Sequence, residues 1–145
     1  MLGEGYDLTT GYNYHGVGGE RYNVAVPYGR LVQENEQMWD RVAQHVPLPY
    51  IPVITSGWDQ RYSAREQGRA IIYAGRTPMQ FFCYVAAARR WLDRNARRTP
   101  RDKTVLLYAW NEIGEGGAIL PTKADGGAYA QALHLAMTPA VEPTC

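Results

Sequence analysis

Cysteine is scarce in this chain of 145 residues, with Cys83 inside an apolar helical pattern and Cys145 as the last residue. Two such positions make neither a disulfide framework nor a metal-binding spacing, so a fold without cross-links and a reducing compartment are expected. Net charge is scarce too, at +1 from 15 basic and 14 acidic residues. Bulk charge therefore directs the protein to neither nucleic acid nor an anionic membrane. The longest apolar run, around "MQFFCYVAAA", is too short to cross a bilayer. The opening "MLGEGYDLTT" has no basic stretch followed by an apolar one, so no export signal is read there and the cytoplasm is the default location. No HExxH, Cys/His cluster or carboxylate triad occurs, and "GVGGE" has neither the lysine of a nucleotide loop nor the glycine spacing of a dinucleotide fold. No metal and no cofactor are expected.

What is present reads as one globular domain with a real core, expected over residues 1–137, followed by a disordered tail, "TPAVEPTC", at 138–145. Three times an extended apolar run meets a loop marked by glycine or proline and then a helical pattern. The first run is "GYDLTTGYNYHG", a weak strand. Its helix follows Pro27, where Leu31, Asn35, Met38, Val42 and Val46 recur at spacings of three and four, with Val32 and Trp39 beside them. The second run is "YIPVITSGW", whose first half is weakened by Pro52, which cannot donate to a ladder. A long connection, "DQRYSAREQGRAIIYAGR", leads to Thr77 and Pro78, an N-cap residue followed by proline at the first helical position. The arginines of "RRWLDRNARRTPR", after that helix's apolar half, read as a solvated face that suits the helix dipole.

The third run, "TVLLYAW", is the clearest, and its continuous apolar character predicts a strand buried on both faces of a parallel sheet. A last helix is expected near "GGAYAQALHLAM". This order gives an α/β fold of three consecutive βα units with parallel strands. A full (β/α)8 barrel takes about 250 residues, so the rhythm is that of its carboxyl-terminal three-eighths.

In parallel α/β folds, active sites sit on the loops after the strands. The third run ends in "NEIGEGG", which mounts Asn111, Glu112 and Glu115 there, beside Trp110. Gly114, Gly116 and Gly117 free the backbone to bend and let a ligand come close. Two neighbouring carboxylates in a partly dry cleft divide into an acid and a base, the arrangement used in glycoside hydrolysis. The second run delivers Trp58 and Asp59 to the same rim, and the first adds Tyr12, Asn13, Tyr14 and His15. Aromatic faces beside amides and carboxylates suit a sugar ring, which has an apolar face and a girdle of hydroxyls. Glu112 and Glu115 are the expected catalytic pair; Asn111, Trp110, Trp58, Asp59, Tyr12, Asn13 and Tyr14 are the expected substrate contacts. His15, a lone histidine, is not read as a ligand.

The segments "YAWNEIGEGGAILPTKADGGAY", "PVITSGWDQR" and "YAGRTPMQF" resemble, in order and spacing, the carboxyl-terminal part of glycoside hydrolase family 99 and its 99-like relatives in polysaccharide biosynthesis clusters. The likeness covers roughly residues 50 to 137 and, more faintly, 6 to 46. It implies a (β/α)8 barrel acting on α-mannosides by a retaining route. Glu112 would deprotonate the sugar 2-hydroxyl, which attacks the anomeric carbon to give a 1,2-anhydro intermediate. Glu115 would protonate the departing oxygen and later activate water. Two substitutions depart from the pattern: Ile113 stands where the family has tryptophan, and Leu120 where it commonly has glutamate. The barrel's first half has no counterpart, so the chain reads as a fragment of a catalytic barrel; a half-barrel standing alone would need a second copy. Two readings stay open, a glycoside hydrolase-like enzyme and a non-catalytic carbohydrate-binding or polysaccharide-assembly protein with the same rim.

Overall fold

The computed structural model describes residues 5–16, 19, 21–63, 68–138 and 145. Parts of "GVGGE" and of the tail, 139–144, thus lie outside the described residues. In chain order the elements are β1 (Ala25–Pro27), α1 (Tyr28–His45), β2 (Val53–Thr55), β3 (Trp58–Asp59), β4 (Ile72–Ala74), α2 (Pro78–Arg94), β5 (Leu106–Tyr108) and α3 (Ala128–Met137). The protein is α/β, as expected, and among the described residues no helix is long and apolar enough to cross a membrane.

The helices follow their signals closely. α1 starts directly after Pro27 and stops at Val46, ahead of Pro47 and Pro49. Its buried stripe is Tyr28, Leu31, Asn35, Trp39 and Ala43. Met38, Val42 and Val46 of the expected stripe are only half-buried, so the inward face is turned slightly from the expected one. α2 opens with a reciprocal cap: the Gln80 amide donates to Thr77 Oγ1 at 3.2 Å, and the Thr77 amide donates to Gln80 Oε1 at 3.1 Å. Such caps contribute about 1 kcal/mol. α3 packs on α2, with Phe81 and Tyr129 5.9 Å apart. The arginine run does more than line a solvated face. Arg89 donates to the Ala136 and Thr138 carbonyls at 2.8 Å, closing the end of α3, and Arg98 donates to the Ala43 carbonyl near the end of α1.

The three expected strands keep their order but are short. Thr9 bridges Tyr50 in parallel, all that remains of the first strand, and β2 pairs with β5 in parallel from Val53↔Leu106 to Thr55↔Tyr108. β2 begins just after Pro52, as that residue's missing N–H requires. β5 corrects an expectation. Among the described residues it has a strand partner on one side only, with Leu106 exposed and Leu107 half-buried, so its apolar run stands at a sheet edge there.

The other edge of β2 is closed by side chains. Trp39 Nε1 donates to the Val53 carbonyl at 2.8 Å, Tyr28 OH donates to the Thr55 carbonyl at 3.2 Å, and the Tyr84 hydroxyl reaches the Val53 carbonyl and the Thr55 amide at 3.4 Å. Asn35 completes the layer, accepting from Thr55 Oγ1 at 3.1 Å and donating to the Leu31 carbonyl. Helix side chains thus occupy hydrogen-bonding groups that a further strand would need.

A second sheet, β1-β4-β3, was not expected. β1 runs parallel to β4, and β3 runs antiparallel to it with Trp58 opposite Tyr73. β1 ends in Pro27 and lies at the sheet edge, where proline is tolerated. Its partner comes from "AIIYA", inside the stretch read as a connection; the β-branched and aromatic run between Gly68 and Gly75 was the available signal. The disulfide reading also needs correction, because Cys83 and Cys145 are bonded to each other. The bond spans 62 residues of sequence and ties Cys145 to α2.

Candidate functional site

The rim is built by two loops that lock together. After Tyr108 the chain folds back on itself: the Ala109 amide donates to the Gly117 carbonyl at 3.0 Å, Gly117 to Glu112 at 2.9 Å, and Gly116 to Ile113 at 3.1 Å. This loop sits on the segment after β2. The Ser56 amide donates to the Tyr108 carbonyl at 2.6 Å, the Asp59 amide to the Glu115 carbonyl at 2.7 Å, and the Ser56 hydroxyl to the Gly117 carbonyl.

The approach is so close that a side chain on Gly57 would strike the Gly116 carbonyl. Gly116, at φ +66°, faces the Asp59 Cβ at 2.8 Å from where its own Cβ would stand. Both glycines are therefore required by the contact between the loops. Gly114 has open space around it and is not.

Within this frame the Glu115 carboxylate is half-buried and accepts a hydrogen bond from the Tyr108 hydroxyl through Oε2. Tyr108 itself is buried. Its phenol is pushed well above the ordinary tyrosine range, first by burial, then by its bond to Glu115 and the charge of that group, then by the charge of Glu112. Of the two expected carboxylates, Glu115 is the one in hydrogen-bond contact with this phenol. Among the described residues no cation is paired with Glu115.

Aromatic rings wall this position. Tyr12 meets Tyr108 edge-on at 5.1 Å, and Trp58 lies tilted against Tyr108 at 5.4 Å. His15 stacks flat on Trp58, 3.7 Å between ring centres, with its Nδ1 2.6 Å from Asn13 Oδ1. Trp58 is 4% exposed, and its buried indole N–H has no partner among the described residues.

Other expected contacts have partners of their own or are exposed. Asp59 forks onto Arg61 at 2.6 to 3.1 Å, and these hydrogen bonds hold its carboxyl below the usual range. Tyr14 accepts from Tyr50 OH at 3.0 Å and anchors its loop, while burial raises its phenol. Asn111 and Trp110 are exposed, Trp110 at 57%. Ile113 is 68% exposed.

Tyr108 is the rim residue that sequence reasoning left out, and His15, placed at the rim but not read as a ligand, has an unexpected ring contact. Tyr108 was legible as the last residue of the clearest strand, the position nearest the rim. His15 was legible only through its neighbours, since its ring contact crosses from one loop to another. A cavity of about 370 Å³, lined by Pro78, Met79, Phe82, Ala132 and Leu135, lies between α2 and α3 and shares no residue with the rim. Among the described residues no three His, Cys, Asp or Glu side chains group as a metal ion would need.

No curated protein and no solved structure matches this chain. A family model described as glycosyltransferase WbsX matches residues 12–133, from the Tyr12 loop through both sheets into α3, and the chain belongs to that carbohydrate-related family.

Proposed function

We propose that the protein transfers glycosyl groups of an oligo- or polysaccharide, with Glu112 and Glu115 as the reacting carboxylates and the aromatic rim as the sugar site. The supporting observation is the hydrogen bond between the Glu115 carboxylate and the buried Tyr108 phenol, beside Tyr12 and Trp58 and without a pairing cation among the described residues, with Glu112 three positions away on the same loop. An α-mannoside-type substrate follows from the resemblance of the "NEIGEGG" and "GWDQR" loops to family 99.

The reaction closes on two carboxylates. Glu112 takes the 2-hydroxyl proton, the freed oxygen bonds to the anomeric carbon, and the glycosidic bond breaks as Glu115 gives its proton to the leaving oxygen. Glu115 then takes a proton from the acceptor, whose oxygen opens the anhydro ring while Glu112 returns the first proton. With water as acceptor this is hydrolysis; with a sugar hydroxyl it is glycosyl transfer. Both outcomes use the same groups. The βα order supports assigning residues 1–137 to one domain made of consecutive units of a (β/α)8 barrel, with further units or a second copy as the opposite wall.

The test is calorimetric binding of manno-oligosaccharides together with chromatographic detection of products, in the unmodified chain and in Glu112→Gln and Glu115→Gln. Product that vanishes in both variants is expected. Undiminished turnover in Glu115→Gln would overturn the proposal. Binding without product would assign the rim to sugar binding alone, the reading that Ile113 and Leu120 favour.

A further inference from the structure

We propose that Tyr108 is a positioning residue for Glu115: its hydroxyl holds one carboxylate oxygen so that the other faces the sugar. The inference rests on the glycosyl-transfer reading of the same rim. The bond from Tyr108 OH engages Oε2, and the unprotonated oxygen of a carboxylic acid is the better acceptor of its two. The bond therefore favours the acid proton on Oε1, the oxygen left free to meet the leaving group.

The phenol is itself held on three sides. Tyr12 meets its ring edge-on and Trp58 lies against it. The third side is Gly117, where a Cβ would come within 2.9 Å of Tyr108 Cε1, so the glycine leaves room for the ring. Tyr108 also belongs to β5, whose ladder to β2 sets its backbone. Glu115, on a loop, thus takes its aim from a group on a strand, which is how reacting groups keep a working geometry.

The test uses the full chain and two readouts. The first is turnover of manno-oligosaccharides by Tyr108→Phe, which removes the hydroxyl and keeps the ring. A fall in kcat of about tenfold to a hundredfold is expected, with KM within about threefold and the melting temperature within a few degrees. The second needs no substrate. In protein labelled at tyrosine 13Cζ, the Tyr108 resonance is the one missing from Tyr108→Phe. It should move in Glu115→Gln, and by more than in Glu112→Gln.

A Tyr108 resonance unmoved in Glu115→Gln overturns the contact. Unchanged kcat in Tyr108→Phe overturns the positioning role, as does a loss in which KM and melting temperature move with kcat. Full turnover in Glu115→Gln, or none by the unmodified chain, removes the glycosyl-transfer reading and the positioning role with it. In either case the resonance still reports separately whether the two groups touch.

Discussion

Among the described residues two tyrosines donate to glutamates, and the surroundings of the two pairs decide what each can do. Tyr73 OH donates to Glu34 Oε2 at 2.8 Å, while Arg30 Nε donates to Glu34 Oε1 at 2.8 Å and the Gly16 amide donates to the Tyr73 oxygen at 3.1 Å. Glu34 is 5% exposed, with both oxygens engaged and a cation beside it. The Tyr108–Glu115 pair sits at the rim with one oxygen engaged and no paired cation among the described residues. A carboxylate matched by a cation and bonded on both oxygens is a fastener. Bonded on one oxygen and unmatched, it keeps a site for a proton. The fastener also serves the rim, since Tyr73 holds the backbone of the His15–Gly16 turn.

The sharpest test of the contrast is to remove the charge from each member. Glu115→Gln is expected to lower turnover by about 10²- to 10⁴-fold while urea unfolding shifts little. Glu34→Ala is expected to do the reverse, destabilising by about 2–4 kcal/mol because Arg30 and the buried Tyr73 hydroxyl lose their partner. A stable Glu34→Ala, or an unfolded Glu115→Gln, would erase the distinction. Tyr73→Phe should cost about 1–2 kcal/mol by thermal melting and leave the Tyr108 resonance in place.

Alkaline pH offers a milder probe. Burial, then the bond to Glu34, pushes the Tyr73 phenol up to about 12 from an ordinary 10.0. The folded chain therefore keeps a proton that the unfolded chain gives up. That stabilisation is complete below about pH 10 and is lost as pH rises toward 12. Urea midpoints measured across this window should fall less steeply in Tyr73→Phe than in the unmodified chain. The smallest effect belongs to Asp59, whose partner Arg61 is exposed: Asp59→Asn should change stability by about 0.5 kcal/mol or less, read from the same urea curves.

The helices were legible because their signals are local and repeated. Thr77, Pro78 and Gln80 form a cap within four residues, and Leu31, Asn35 and Trp39 fall on one stripe by spacing alone. The rim was legible because the apolar run ends where Glu112 and Glu115 begin. Three-residue strands carry no period, so β1 and β4 disappeared into what read as loops. An apolar run also does not state how many partners it has, which is why Leu106 proved exposed. Asp59 shows a third limit. Its residue type suits a sugar site, but Arg61, two positions on, already claims both oxygens. The Tyr108–Glu115 bond needs the loop to close on itself, and no spacing rule anticipates that.

The indole that closes the edge of β2 has a consequence for how opening of the molecule can be watched. Trp39 Nε1–H is bonded to the Val53 carbonyl, so its exchange with deuterated solvent requires α1 to leave β2, and its rate reports that separation alone. Trp58 carries a second buried indole proton, one that no described residue accepts. Protection at Trp39 thus measures the cohesion of helix and strand, while Trp58 follows solvent reaching the rim, and the two clocks can be read in one spectrum.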